Sequence, residues 1–484
     1  MITKAEQLVI EAQRQVSNAA NRARRNDMLK RIDYYYDKQL DYLDNILNQR
    51  FAETDKLKLQ KENRNIVKRI IDKISLLYKS EPSRLLVDEK GKPIEEKIQQ
   101  RVQNEIWNPA KINNVCSTAE KMMNLCRTVG VKVAYRDGIK YDLKTPANLD
   151  VVQKEDDVTQ PMAIIYAKEL RIDTPGAPRK YEHVVWTEKE HFKILADQYG
   201  KEKEETITIL REKQPIGNNT KMKNPYGIIP FAWFRDDYNW RTFFNEGGND
   251  LVAAQDNINV KLTDLNQLIK MQSWSVPVLI GYDAKTKDPV VIDPTIPIVI
   301  PIGAENGDFK FVTPDAKIGE VWNCILDSVN GIATDYDIAP GSFTLTGSAR
   351  SGLELKLENV GLYERAWSKR TYAMDFETQL WGITKIVGEK NGLEWIPQNT
   401  KLIVKYDDVK IPEDPAKEQK TWSWLFEYGI KTPIDYIMAK NPNMSEEDAR
   451  KQYESNIEFN KKMSEEITTM RDLFGESKGG ANAG

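Results

Sequence analysis

Pro340-Gly341-Ser342-Phe343-Thr344-Leu345-Thr346-Gly347-Ser348-Ala349-Arg350-Ser351-Gly352 is a run of small and hydroxylated residues behind a proline. Such a composition disfavours regular structure and reads as an exposed loop. A long helical pattern starts directly after it. Leu353, Val360, Trp367, Met374 and Trp381 recur every seven residues. Leu362, Ala366, Ala373, Phe376, Leu380, Ile383 and Val387 widen the stripe into a broad apolar face. No proline interrupts the run. Thirty-odd helical residues reach roughly 50 Å at about 1.5 Å each, which is long for a compact domain. A small-residue loop at the head of a long spine is the feature that the other elements must explain.

The chain has 484 residues, a length that suits about two to four domains. Its net charge of −3 argues against a general nucleic-acid coat or a polybasic membrane binder. Cys116, Cys126 and Cys324 lack any Cys-x-x-Cys spacing, which fits a reducing compartment without a disulfide framework. The polar start, Met1 to Gln7, shows no signal-peptide pattern, and no run of eighteen apolar residues points to a membrane span. Two histidines, His183 and His191, leave little room for histidine catalysis or a multi-histidine metal site. Eleven tryptophans suggest large packed contacts, within the chain or between chains.

Residues 1–79 read as helix, the part up to about Arg25 being charged, poor in apolar residues and frayed in character. Asp33, Asp37 and Asp41 then sit four apart, a pattern of a solvated face rather than a cation site. Asn65 to Tyr78 is strongly amphipathic and stops before Glu81-Pro82. Helix continues over 94–129 with a break at Asn108-Pro109. From Gly130 the period becomes two. Strands are expected at 131–135, 163–169, 181–187, 191–197 and 205–211, forming an antiparallel meander with one wet face. His183 and His191 fall on neighbouring strands, where the reading is structural rather than metal-binding. Asn224 to Phe234 closes the meander as a buried strand. A helix follows to about Ser273, with Asp250 in its N-cap region. Trp274 to Val312, punctuated by Pro277, Pro289, Pro294, Pro297 and Pro301, reads as short edge strands. Helix returns over 315–337, and the loop and spine come next. A strand at 402–406 and a helical end complete the chain, with a flexible tail after about Gly475. The fold class is therefore α+β and mainly helical.

The chemistry-bearing motifs are absent. There is no Gly-x-x-x-x-Gly-Lys-Ser/Thr phosphate loop, no Gly-x-Gly-x-x-Gly after a strand, no His-Glu-x-x-His and no zinc spacing. Neither histidine sits on the strand-to-helix turn that a serine triad would use. The chain is read as a non-enzyme with no cofactor, no catalytic residue and no metal.

The order of elements resembles the portal proteins of tailed bacteriophages. The resemblance rests on Ala339 to Lys356, similar to the family's tunnel loop and the start of its long helix. It rests also on Asn65 to Tyr78 before Glu81-Pro82, and on Asn224-Pro225-Tyr226-Gly227-Ile228-Ile229-Pro230-Phe231 before the first stem helix. It implies an N-terminal arm (1–29), a wing (30–245), a stem helix (246–273), a clip (274–312), a second stem helix (313–338) and a tunnel loop (339–352). The spine helix (353–392), a returning wing strand and helix (393–432), a crown (433–474) and a tail (475–484) would follow. It further implies a homo-oligomeric ring, usually of twelve subunits, at one capsid vertex of the virion, assembled in the host cytoplasm. Double-stranded DNA would pass through it, and it would meet the terminase large subunit, a head-tail adaptor, the major capsid protein and scaffold, but no membrane.

Under that resemblance, Ser342, Phe343, Thr344, Leu345, Thr346, Gly347, Ser348, Ala349 and Arg350 would line the narrowest part of the channel. Trp274, Pro277, Val290, Ile292, Pro294 and Ile298 would form the clip and its adaptor contact. The second stem helix carries Asp315, Glu320, Asp327, Asp335 and Asp337 against Lys317. Facing a channel in many copies, such acids would make a wall that repels phosphate. The alternatives are a DNA-processing enzyme such as a metal-dependent nuclease, and a monomeric scaffold or adaptor.

Overall fold

Five apolar residues on one side of a short helix start the main core. α3 (Ile66–Ile74) buries Ile66, Val67, Ile70, Ile71 and Ile74, and the Asn65 side chain caps it by accepting from the Lys68 N–H at 2.8 Å. This computed structural model describes residues 11, 14–15, 18–50, 61–170, 180–197, 208–209, 213–217, 219–272, 276–280, 308–312, 317–339, 342, 359–407, 415–441 and 444–475. Ahead of α3 lie α1 (Ala19–Tyr35) and α2 (Gln39–Arg50). Behind it come β1 (Ser83–Val87), α4 (Glu96–Val102) and a π-helical turn (Gln103–Trp107). α5 (Ile112–Cys126) follows and buries Cys116, Ala119, Met122 and Met123 against the same core.

The expected meander is two sheets. β2 (Thr128–Tyr135) sits between β3 (Ile139–Lys144) and β9 (Phe231–Arg235) in one. β4 (Leu149–Gln153), β5 (Pro161–Leu170), β6 (Lys180–Thr187), β7 (His191–Asp197) and β8 (Thr208–Ile209) form the other. Every pairing is antiparallel. The expectation of one wet face fails at the centre of the larger sheet. Ile164, Val184 and Trp186 pack with Phe231, Trp233 and Phe243 on one side. Ala163, Ile165, Val185, Phe192 and Ile194 are buried on the other. Runs such as Met162-Ala163-Ile164-Ile165-Tyr166 are apolar at odd and even positions alike, as a strand covered on both faces requires.

α6 (Asn249–Gln272) leads to β10 (Val276–Ile280), which pairs antiparallel with β11 (Asp308–Val312), Val276 opposite Val312. α7 (Ile318–Asp335) returns, and α8 (Val360–Lys390) is the spine. β12 (Lys401–Lys405) then pairs with β1, Ser83 opposite Lys405. Sequence reading found β12 but not β1.

Three further expectations are corrected. The heptad row on the spine does not form its buried face: Val360, Trp367 and Met374 are 42%, 70% and 41% exposed, while Trp381 is buried. The wider set, Leu362, Ala366, Ala373, Phe376, Leu380, Ile383 and Val387, is buried instead. A straight helix drifts about 20° per heptad, so a seven-residue row spirals from one face towards another. Second, the segment before Arg25 is not a frayed arm throughout. α1 begins at Ala19, and Arg24 donates to the Pro146 and Leu149 carbonyls at 2.6 and 2.9 Å. Arg24 and Arg25 both grip the buried Asp150 on β4. The three aspartates Asp33, Asp37 and Asp41 do not share a helix face. α1 ends at Tyr35, and Asp37 turns the chain with a φ of 66°.

The chain divides into two compact units, 1–348 with 357–408, and 349–356 with 409–484. In the second, α9 (Pro415–Glu427), α10 (Pro433–Lys440) and α11 (Glu446–Gly475) are helical. Thr432 and Asp435 form a reciprocal cap at the head of α10. Trp422 meets Tyr436 edge-on at 5.0 Å.

Gly248 sits where α6 begins, with a φ of +81°. A Cβ there would stand 2.7 Å from Arg31 Nη1, an atom held by the Gly247 carbonyl at 2.6 Å. Gly248→Ala is expected to destabilise the protein by about 2–3 kcal/mol, combining left-handed strain with a displaced guanidinium. A shift in the urea midpoint checks this; an unchanged midpoint would contradict it.

Candidate functional site

α6 and α7 run as neighbours joined through the β10–β11 pair. α7 turns Ile325, Val329, Ile332 and Ala333 inwards. Lys261 on α6 reaches across to the Ser328 hydroxyl at 3.0 Å. The opposite side of α7 is polar and exposed, with Glu320, Asn323, Asp327, Thr334 and Asp335. At 3.6 residues per turn, Glu320, Asp327 and Asp335 fall within roughly 80° of one another. The helix therefore presents three of the five expected acids on one side; Asp315 lies outside the described residues, and Asp337 follows the end of the helix. Glu320 is partly neutralised by Lys317 at 3.0 Å, an exposed pair of small energetic worth.

Arginines fix the foot of this helix pair to the rest of the larger unit. Arg31, 1% exposed, donates to the Gly247 and Leu125 carbonyls and to Asp27 and Asn249. Arg127, left-handed at a φ of 65°, pairs with Asp236 at 3.0 Å. Burial pulls the Arg127 guanidinium down, but Asp236 and its neighbours more than offset this and hold it above its ordinary range. Arg365 on the spine donates to Asp337 at 2.6 Å and lies over the Tyr336 ring. The acid Asp337 thus anchors the spine helix rather than standing in the exposed row.

Sequence reading missed these arginines. Their residue type reads as solvent-facing, and the one sequence feature that permits so close an approach is the Gly247-Gly248 pair ahead of α6.

Of the expected loop residues, Ser342 is described: it is exposed, and its N–H donates to the Ala339 carbonyl at 3.1 Å. Phe343, Thr344, Leu345, Thr346, Gly347, Ser348, Ala349 and Arg350 lie outside the described residues. So do Trp274, Val290, Ile292, Pro294 and Ile298 of the expected clip; Pro277 stands on β10 opposite Phe311.

The two histidines do not meet. His191 pairs in register with Trp186 and stacks on its ring at 3.5 Å, whereas His183 pairs with Ile194. An offset of three along the strand puts them on opposite faces of the sheet. Burial lowers both imidazoles to about 4, so they are neutral at physiological pH. Among the described residues, no three His, Cys, Asp or Glu side chains gather as a metal site, and no helix is long and apolar enough to cross a membrane.

A sequence model of phage portal proteins of the SPP1 Gp6-like kind matches residues 15–468. The chain belongs to this portal family. The family is a structural one. No curated protein matches the portal's sequence. Among solved structures, a chain from the neck of an empty gene transfer agent particle is similar at a TM-score of 0.46 and 10% identity. That match covers 78% of this portal and 90% of that chain. A chain from the virion of a native gene transfer agent particle is similar at 0.43 and 11%, over 76% and 88%. A third, from the neck of the native particle computed with C12 symmetry, scores 0.41 at 10% identity, over 76% and 88%.

Proposed function

We propose that this portal assembles as a ring at one capsid vertex and serves as the conduit through which double-stranded DNA enters and leaves the particle. Twelve copies is the number usual in the family. Residues 30–245 and 393–432 are the wing, α6 and α7 the stem, 274–312 the clip, 339–352 the tunnel loop and 433–474 the crown. The terminase large subunit docks during packaging, a head-tail adaptor meets the clip, and capsid and scaffold proteins surround the wing. The observation that carries the reading is the one-sided acidity of α7, directly followed by the 339–352 loop and the spine. Repeated around a ring, Glu320, Asp327 and Asp335 make a wall that phosphate does not stick to, as a passage for DNA needs.

Rings of the wild-type protein are expected not to retain linear duplex DNA at about 50 mM salt. A variant with Glu320→Lys, Asp327→Lys and Asp335→Lys should bind it, with an affinity falling steeply as salt is added. Equal, tight binding by the wild type would overturn the conduit reading. Magnesium-dependent DNA turnover by the purified protein would favour a nuclease instead.

A further inference from the structure

We propose that the groove between α5 and β3 binds an extended acidic peptide, which adds to β3 as a further strand. The groove holds about 440 Å³ and opens to solvent. Lys111, Val115 and Thr118, at the head and along the first turns of α5, make one wall, and Lys140, Tyr141 and Leu143 on β3 make the other. A helix lying beside the edge of a sheet is the setting in which peptides are taken up as strands.

The main chain of β3 supplies the first argument. β3 is an edge strand of its sheet, in the order β3-β2-β9. Val133 on β2 stands opposite Tyr141, and its N–H goes the other way, to the Pro230 carbonyl beside β9. Opposed residues in an antiparallel ladder exchange both bonds or neither. Tyr141 therefore turns its N–H and C=O away from β2, and Ile139 and Leu143, two residues to either side, do the same. Among the described residues no hydrogen bond reaches these groups. The Tyr141 ring points inwards and shares its hydroxyl with Thr384 at 3.1 Å, so Tyr141 offers the groove its main chain. From Ile139 to Leu143 the open edge runs for roughly 13 Å, the length of a peptide of about five residues. It alternates donors and acceptors. A peptide main chain answers both, whereas a phosphodiester backbone brings acceptors only.

The charge on the walls supplies the second. Lys111 is exposed and Lys140 half-buried, and among the described residues neither forms an ion pair. Lys140 reaches only the Pro109 carbonyl, at 3.4 Å. Arg136 and Asp142 pair with each other and cancel. The groove is left with two cations, which acidic side chains on the added strand would meet.

The test uses the full-length protein and fluorescence anisotropy with rhodamine-labelled probes. These are the peptide Glu-Val-Glu-Val-Glu, the same peptide N-methylated at every amide, Lys-Val-Lys-Val-Lys, and a short oligothymidine. The first should bind saturably and protect the Tyr141 and Leu143 amides from hydrogen exchange, and the other three should bind at least about tenfold more weakly. Lys111→Glu with Lys140→Glu, and separately Thr118→Trp, which fills the groove from the exposed side of α5, should each weaken the first peptide by about tenfold. The unfolding midpoint and the rings should be unchanged. If the double variant lowers the midpoint, Thr118→Trp decides, and unaltered peptide binding by it would overturn the inference. Equal binding of the N-methylated peptide would overturn strand addition. Oligothymidine bound in place of the peptide would make the groove a nucleic-acid contact, and loss of rings in Thr118→Trp would make it a contact between copies; either overturns the inference. So would the absence of saturable peptide binding up to about 1 mM, and that result would leave the ring reading untouched.

Discussion

Replacing Glu377 with leucine is expected to cost the larger unit about 3–5 kcal/mol, the usual penalty for leaving a buried charge without its partner. Glu377 lies in the middle of the spine helix and is 1% exposed. Arg84 on β1 approaches it at 2.5 and 3.1 Å through Nε and Nη2. Tyr78 donates to the same carboxylate at 2.9 Å and Tyr406 at 3.3 Å, and Asn113 takes the remaining Arg84 contact at 2.5 Å. Burial alone would lower the Arg84 guanidinium, but Glu377 overrides it and holds it above its ordinary value. An arginine has no means of shedding its charge when the partner goes. In Glu377→Leu it therefore stays ionised, 5% exposed, and the Tyr78 and Tyr406 hydroxyls lose the carboxylate and keep only their contact with each other at 3.0 Å. The double change Arg84→Met, Glu377→Leu should recover most of the loss, because an apolar pair of similar volume avoids desolvating two ions. Guanidinium titration followed by tryptophan fluorescence decides it. A single-variant loss under about 1 kcal/mol would show that the pair is not holding the spine to β1.

The second large effect is one of pH. Lys369, also on the spine, is 7% exposed. Its ammonium donates to Asn124 Oδ1, and Asn124 donates in turn to Ser75 Oγ at 3.0 Å. Burial lowers its pKa to about 8, and Arg365 and Arg127 press it the same way, against the pull of Asp236 and Glu120. The unfolded chain holds this proton up to about 10.5. Between those two values the unfolded state carries a proton that the native state has lost, so stability rises with pH across the window. The gain is complete above about 10.5 and is lost as pH falls through 8. The full swing is on the order of 3 kcal/mol. Subtracting the stability curve of Lys369→Met from that of the wild type cancels the other titrating groups and should leave this rise. Parallel curves from pH 7 to 10.5 would refute it.

Both residues show where sequence reading stops. α3 was legible because Ile66, Val67, Ile70, Ile71 and Ile74 repeat at helical spacing with a capping asparagine before them. The helices α6, α7 and α8 were legible for the same reason: each alternates buried and exposed positions at helical period. Lys369 and Glu377 were not, because a charged residue on a long helix reads as a solvated one until its partners are known. Those partners, Asn124 and Arg84, are far away in sequence. β1 escaped for a related cause. Its five residues have little pattern of their own and become a strand through β12. In the candidate channel, α7's exposed acids were readable one by one. Which side they shared followed only once Ile325, Val329 and Ile332 were seen to face inwards. Asp337 belonged to the spine's anchor instead.

The pairing of β1 with β12 also has a consequence in time. Some three hundred residues separate Ser83 from Lys405, its partner in the register. At about 5–20 residues per second, a ribosome needs roughly 15 to 60 seconds to deliver the second strand after the first. Throughout that interval β1 keeps an open edge and Arg84 has no carboxylate. Any product cut short before Glu377 stays in that unfinished condition. Such a chain lacks the β1–β12 pair and the Arg84–Glu377 contact. The finished fold of the larger unit therefore depends on synthesis running past Lys405.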